Sequence, residues 1–328
     1  MKLLITGGAG YIGSHMCRML LKLNHTPIVL DSLEVGNRKS LPKNLDFYQG
    51  NVSDSKLLDQ IFSSHQIDAI IHFAGFIQAG ESVINPQKYF DNNTLKPTAL
   101  LQACIKHHVK KLIFSSTAAV YGQPPIVPIL ENTALLPINP YGLSKLYFEQ
   151  LLGYFDRQYG LKSISLRYFN ACGADLDGQY GEDHHPESHI IPIAIHSVIQ
   201  KKSFSLFGTD YPTPDGTCIR DYIHLEDLCS AHLAALEALN NSHPTDQFNV
   251  ASGVGWSNRQ ILDTIQKVSD QKLEITENPR REGDPPELVA DAAKIKKALN
   301  WVPKYSDLDT IIKSAWLWHS KNPHGYEG

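Results

Sequence analysis

The segment Lys2-Leu3-Leu4-Ile5-Thr6-Gly7-Gly8-Ala9-Gly10-Tyr11-Ile12-Gly13-Ser14-His15 decides how the rest of the chain is read. Leu3 to Thr6 form a short apolar, partly β-branched run of the kind that makes a buried strand. Four glycines follow at once, and from Ile12 onward Met16, Met19, Leu20 and Leu23 recur at spacings of three and four, the period of a helix covered on one face. A strand, a turn without side chains and a helix in direct succession bring backbone amides at the helix N-terminus close to an anion. Working outward, further β-rich apolar runs at 27–31, 46–50, 67–74, 111–116 and 163–169 alternate with helical patterns. This alternation is how a parallel sheet covered by crossover helices reads, and it predicts a doubly wound α/β fold of Rossmann type.

The pattern changes near Gly173, where a polar loop rich in Gly, Asp, His and Pro runs to Pro192 and shorter elements follow. We therefore expect a sheet domain over 1–172 and a smaller α/β, substrate-binding domain over 173–328, with some late segments free to return to the first. Ser257 and Gln260 before Ile261, Leu262 and Ile265 have the capping-box spacing, so the second part is folded. With 328 residues the chain suits about two domains of roughly 150 residues each. Its 30 Lys and Arg against 34 Asp and Glu lack the basic excess that nucleic acid demands. No stretch approaches the roughly 20 apolar residues of a membrane span, and the N-terminus lacks a signal-peptide core. Five cysteines (Cys17, Cys104, Cys172, Cys218, Cys229) without C-x-x-C spacing predict neither disulfides nor a thiolate metal site and suit a reducing cytoplasm.

Eighteen residues after Gly13, the run Ile28-Val29-Leu30 ends in Asp31. A carboxylate at the end of the second strand accepts from an adenosine ribose hydroxyl and repels a 2′-phosphate, so the cofactor expected is NAD rather than NADP. Tyr141 and Lys145 stand four apart at the start of a helical pattern, one turn apart on one face. An ammonium about 4 Å from a phenolate interacts with it by roughly 4 kcal/mol at an intermediate dielectric, enough to make the tyrosine a base near neutrality. Ser115-Ser116-Thr117 ends the fifth candidate strand, the edge at which such sheets bind ligands.

Together these features resemble the extended short-chain dehydrogenase/reductases. His72-Phe73-Ala74-Gly75, Gly80-Glu81-Ser82, the run from Leu166 to Asn170, Asp210-Tyr211-Pro212-Thr213, the run from Gly216 to His224, and Arg280-Arg281-Glu282-Gly283-Asp284 are similar to the UDP-glucose 4-epimerase pattern over nearly the whole chain. The resemblance implies that Thr117, Tyr141 and Lys145 are catalytic, with Tyr141 the base and Lys145 binding the nicotinamide ribose and lowering the tyrosine pKa. It implies an NAD site of Gly7, Gly10, Tyr11, Ile12, Gly13, Asp31, Asn51, Val52, Phe73, Ala74, Asn92, Ser115 and Tyr168, besides Tyr141 and Lys145. It implies a UDP-sugar site of Thr117, Asn170, His189, Ile190, Ser205, Phe207, Arg220, Arg281, Asp284 and Leu288, the arginines facing the diphosphate. Three positions depart from the pattern: Asn51 replaces a common acid, Ile77 a lysine near the cofactor, and His189 a substrate-side asparagine.

The reaction implied is reversible C4 epimerisation of a UDP-hexose through a 4-keto sugar. A nucleotide-sugar dehydratase would carry Asp-Glu after the strand-end Thr, where this chain has Ala118 and Ala119. A decarboxylase on the same scaffold and epimerases of N-acetylated, pentose or uronate sugars are the nearer rivals, and an NAD-sensing scaffold would not need Tyr141 and Lys145. Leu288 holds the position that in related epimerases helps decide whether a 2-acetamido group fits. The cluster Asp183, His184, His185, Glu187 and His189 lacks the one-face spacing of helical zinc sites, so we expect a substrate-covering loop and no metal. The family is commonly dimeric, and segments 95–107 and 145–159 would supply that interface.

Overall fold

The computed structural model describes residues 1–281 and 284–327, so Glu282 and Gly283 of the Arg280–Asp284 motif lie outside the described residues. Thirteen strands run in order: β1 (Lys2–Thr6), β2 (Thr26–Asp31), β3 (Asp46–Gln49), β4 (Ala69–His72), β5 (Lys111–Thr117), β6 (Lys162–Tyr168), β7 (Asn170–Cys172), β8 (Phe204–Phe207), β9 (Ile219–His224), β10 (Asp246–Val250), β11 (Gly255–Ser257), β12 (Ile275–Asn278) and β13 (Glu287–Leu288). The main helices are α1 (Tyr11–Lys22), α2 (Ser55–Ser64), α3 (Ala79–Ile84), α4 (Pro86–Phe90), α5 (Thr98–Lys106), α6 (Pro140–Tyr159), α7 (Ile190–Gln200), α8 (Leu225–Asn240), α9 (Asn258–Ser269), α10 (Ala293–Leu299) and α11 (Leu308–Lys321).

Seven strands form one sheet in the order β10-β6-β5-β4-β1-β2-β3, every pair parallel. Alternation along β1 sends Leu3 and Ile5 to a layer with α1 and α8, and Leu4 to the layer with α2, α5 and α6. Both faces are thus covered, which is why these strands read as unbroken apolar runs. The strand order reverses between β1 and β4, opening a crevice at their carboxyl ends. The expected run 67–74 is paired only over β4, because the Phe73 and Ala74 amides leave the ladder and both donate to the Thr6 carbonyl, at 2.9 and 3.1 Å.

The chain crosses position 173 and then returns. Helix α8 packs against β5, β6 and α1, and Phe248 and Val250 of β10 complete the α1 and α8 core, so residues 225–250 belong in space with the first half. What remains of the second half is a four-stranded group (β7, β9, β11, β13) and the pair β8 and β12, packed with α7, α9 and α11. Ser257 and Gln260 make both bonds of a capping box at the start of α9. No helix among the described residues is long and apolar enough to cross a membrane.

Helix α6 starts cleanly, with the Asn139 side chain accepting from the Gly142 amide at 2.8 Å and Pro140 in its first turn. Its midpoint is tied to the sheet by a buried ion pair. Arg167 of β6 donates to both oxygens of Glu149 through Nε, at 3.0 and 3.2 Å, and through Nη2 to Oε2 at 2.6 Å; their side chains are only 3% and 4% exposed. The Ser116 hydroxyl donates to the same carboxylate, and the Tyr121 hydroxyl accepts from Arg167 at 3.0 Å. Removing one partner strands the other in a dry site. Arg167→Met should therefore cost about 3–5 kcal/mol of stability, read as a lower urea midpoint at unchanged slope. Arg167→Met with Glu149→Leu should recover most of it, and a single-variant loss below about 1 kcal/mol would refute the assignment.

Candidate active site

The crevice opens into a cleft of about 530 Å³ lined by the β1–α1 turn, the ends of β2, β4 and β5, the start of α6 and the loop 181–189. Its floor depends on missing side chains. Gly7 has φ +70°, and a Cβ there would lie 2.7 Å from the Ala74 Cα; a Cβ on Gly13 would strike the Gly7 carbonyl oxygen and come within 2.7 Å of the Gly8 Cα. Gly10 caps α1 without a side-chain bond, so the first-turn amides stay available for an anion. Asp31 stands at the end of β2, where Oδ2 accepts from the Ala9 amide and Oδ1 from the Leu33 amide, both at 2.8 Å. Burial raises its pKa, and those amides pull it back. Each carboxylate oxygen keeps a lone pair for a ribose hydroxyl. Asn51, Val52, Phe73, Ala74, Asn92 and Tyr168 lie on the wall together with Tyr11 and Ile12, so most of the expected cofactor residues meet in one cleft that a dinucleotide fits.

At the other end of the cleft Thr117 and Tyr141 line the wall together. The Thr117 hydroxyl lies near enough to the Tyr141 phenol to favour its ionised form, and Tyr89 stands edge-on to the Tyr141 ring at 6.4 Å. Ser115 and Lys145 stand one layer behind. The Lys145 ammonium donates to the Ser115 carbonyl at 2.9 Å, and the Ser115 hydroxyl is 3.3 Å from His232 Nε2 and from the Tyr168 hydroxyl. The electrostatics differ from expectation. Burial raises the Tyr141 pKa, with Thr117 opposing, and Lys145 is not among the groups that move it. Burial likewise pulls the Lys145 ammonium down to about 8, against the pull of Glu149. In the protein alone the desolvation of a phenolate outweighs the ammonium, whose proton is held by a carbonyl.

The expected substrate residues divide between two places. Asn170 and His189 lie on the cleft wall, and Asn170 Nδ2 donates to the Asp221 carbonyl at 2.8 Å. Ile190 opens α7 directly after His189. Ser205, Phe207, Arg220, Arg281, Asp284 and Leu288 belong to the second-half strands and the segment beside them rather than to the cleft wall. Arg220 Nη2 lies 3.4 Å from Asp284 Oδ1, and the Arg281 guanidinium sits 4.2 Å from the centre of the Phe207 ring. Ser205 is exposed on the same face of β8 as Phe207. Leu288 pairs in register with Arg220 and packs, as Ala118 and Phe169 do, against the small cluster of Val120, Tyr121, Ile129 and Leu146.

Sequence reading missed four contributors to the cleft. Tyr89 and Glu81 are joined at 2.7 Å beside Tyr141, and Glu81 also takes Lys88 at 2.7 Å. Tyr326, from the far end of the chain, reaches the wall and bonds Gly181. Glu182 is buried behind His184 and His189 and binds both rings. An acid adjacent to the histidine-rich run was the available signal for Glu182; nothing local points to Tyr326.

The model of the NAD dependent epimerase/dehydratase family matches residues 3–251. A UDP-glucose 4-epimerase from Lacticaseibacillus casei is 46% identical over 327 residues, covering 99% of each chain. The crystal structure of a Brucella ovis UDP-glucose 4-epimerase in complex with NAD superposes with a TM-score of 0.94 at 42% identity, covering 96% of this chain and 97% of that one. A Bifidobacterium longum UDP-glucose 4-epimerase in complex with NAD+ and UDP gives 0.92 at 36% identity over 99% and 100% of the two chains. With its glycine turn, its cleft and its whole length matched in this way, the chain belongs to the NAD dependent epimerase/dehydratase family, among the UDP-glucose 4-epimerases.

Proposed function

We propose that the protein interconverts UDP-glucose and UDP-galactose by inverting C4, with Tyr141 as the proton-transfer group. The observation that carries this reading is the meeting of Tyr141 and Thr117 at the end of a cleft that fits a dinucleotide. When bound, NAD would supply a reversible hydride acceptor and a positive charge to the cleft that Tyr141 lines. That charge opposes the desolvation that holds the phenol neutral in the protein alone. Tyr141 Oη takes the proton of the 4-hydroxyl as the C4 hydrogen leaves as hydride. Thr117 Oγ1 hydrogen-bonds the sugar oxygen. The 4-keto sugar turns over in the site, hydride returns to its other face and Tyr141 gives the proton back, so no net oxidation occurs. Arg220, Arg281 and Asn170 grip the UDP group far from the reacting carbon, which leaves the sugar free to turn.

Leu288 sets the sugar. It packs against the cluster of Val120, Tyr121, Ile129 and Leu146 just after Thr117, where a 2-acetamido group would have to displace packed atoms. UDP-hexoses without that group are the preferred substrates. Exposed Leu95, Tyr147 and Tyr154 on segments 95–107 and 145–159 support pairing of two copies through these helices. Five free, buried cysteines suit a reducing cytoplasm.

Incubation with UDP-galactose should yield UDP-glucose without accumulation of NADH; absence of conversion would end this reading. Tyr141→Phe should lower kcat by about 10²- to 10⁴-fold with NAD still bound, and near-normal turnover would remove Tyr141 from the reaction. Leu288→Ser should raise kcat/KM for UDP-N-acetylgalactosamine relative to UDP-galactose by about 10- to 100-fold. An unchanged ratio would show that Leu288 does not gate the pocket.

A further inference from the structure

The hydrogen bonds around His232 run in one direction. His232 lies on α8, is wholly buried, and belongs to neither the expected cofactor set nor the expected substrate set. Its Nδ1 is 2.9 Å from the carbonyl oxygen of Leu228, one turn earlier in the same helix. A carbonyl oxygen only accepts, so Nδ1 carries a proton. Burial lowers the His232 pKa to about 4 against the pull of the Leu228 bond. The ring is therefore neutral at neutral pH, and its Nε2 is a bare acceptor.

The next links follow from the number of protons. Ser115 Oγ is 3.3 Å from Nε2 and has a single proton, which goes to that nitrogen. The Tyr168 hydroxyl is also 3.3 Å from Ser115 Oγ, and with the serine proton committed, Tyr168 is the donor. Burial raises the Tyr168 pKa and Tyr141 adds to the rise, so the phenol keeps its proton. The relay thus runs from Tyr168 to Ser115 to His232 to Leu228. Packing limits its freedom: the Phe73 ring lies 4.8 Å from the His232 ring, and the Ser115 carbonyl takes the Lys145 ammonium at 2.9 Å.

Of these four residues, Tyr168 alone lines the cleft. It is the register partner of Thr117 across β5 and β6, so it stands at the Tyr141 end. With its proton turned back to Ser115, it offers the cleft an oxygen lone pair, the negative end of its O–H dipole. Oxidised nicotinamide is positively charged and the reduced ring is neutral, so the direction of that dipole bears on which form is held.

We propose that His232 is a positioning residue that fixes the direction of this relay, so that Tyr168 presents its oxygen to the cleft and favours the oxidised cofactor over the reduced one. His232 itself never touches the cofactor. This rests on the reading given under Proposed function for a hydride acceptor at the Tyr141 end of the cleft. A cofactor biased in this way gives its hydride back to the 4-keto sugar instead of staying reduced.

The test is redox titration of the NAD-loaded protein against a mediator couple at neutral pH, with the reduced fraction read by the near-ultraviolet absorbance of NADH. His232→Phe fills the site but cannot accept from Ser115. It should raise the bound ratio of NADH to NAD at a given poise by about 3- to 10-fold, the scale of one hydrogen bond. His232→Gln, whose amide oxygen reaches the place of Nε2, should keep the wild-type ratio. Tyr168→Phe should reproduce the His232→Phe shift, and the two together should shift no further than either alone. In nitrogen NMR the His232 signals, assigned by their loss in His232→Gln, should show a neutral ring protonated at Nδ1. A ratio unmoved by Tyr168→Phe, equal shifts in His232→Phe and His232→Gln, additive shifts in the double variant, or a ring protonated at Nε2 would each overturn the relay. The Tyr168 and NMR measurements decide the matter even where His232→Phe does not fold. If the wild type converts UDP-galactose while any of these contrary results holds, only the relay fails. A wild type that shows the expected ratios and converts no UDP-galactose overturns the functional reading alone.

Discussion

The turn from β1 into α1 exists only because no side chain stands at Gly7 or Gly13, and much of the molecule is arranged around that crowding. With backbone against backbone there, α1 starts directly over the end of β1 and points its free amides into the crevice. The same close approach lets Phe73 and Ala74 leave β4 and bond Thr6, which puts the far wall of the cleft within reach of the turn. Asp31 then closes the loop behind it by accepting from Ala9. A cofactor diphosphate at this point needs little side-chain charge, because the helix N-terminus supplies it. Among the described residues the cleft wall accordingly carries a single such side chain, Lys88.

The groups proposed for catalysis face the opposite problem. Lys145 is buried and Tyr141 half-buried on the cleft wall, and desolvation drives both toward their neutral forms: the phenol upward and the ammonium downward. Rigidity is supplied one turn further along α6, where Glu149 is locked to Arg167 and Ser116. The helix that carries Tyr141 is thereby fixed to the strand that carries Thr117, and this holds the two hydroxyls in register.

Local signals carried the fold a long way. Apolar runs marked the sheet strands of the first half, the glycine spacing marked the turn, and Ser257 with Gln260 marked a helix start that both side chains then cap. Long-range facts were not legible. Strand β10 reads as an ordinary short run, and only Phe248 and Val250 packing against α8 reveal that it extends the main sheet. The direction of the Tyr141 shift depends on burial, which spacing along a helix does not encode. Tyr326 and Glu182 reach the cleft through contacts with Gly181 and with His184 and His189, pairs that exist only once the loop 181–189 is folded over the opening.

That loop brings three histidines, His184, His185 and His189, to the cleft wall. A cation on the α3 side of the cleft would be fixed to the first half, whereas a histidine at the start of α7 is fixed to the second half with β8 and β9. Charge on His189 is favoured there by Glu182 and Glu187. Holding that charge on an imidazole brings a second consequence: unlike a lysine, it exists only while Glu182 is ionised, and Glu182 is buried, with its pKa held well below the carboxylate range by His189 and His184. Charge on these imidazoles is thus tied to the folding of the loop that buries Glu182, and an unfolded loop presents only neutral imidazoles at neutral pH.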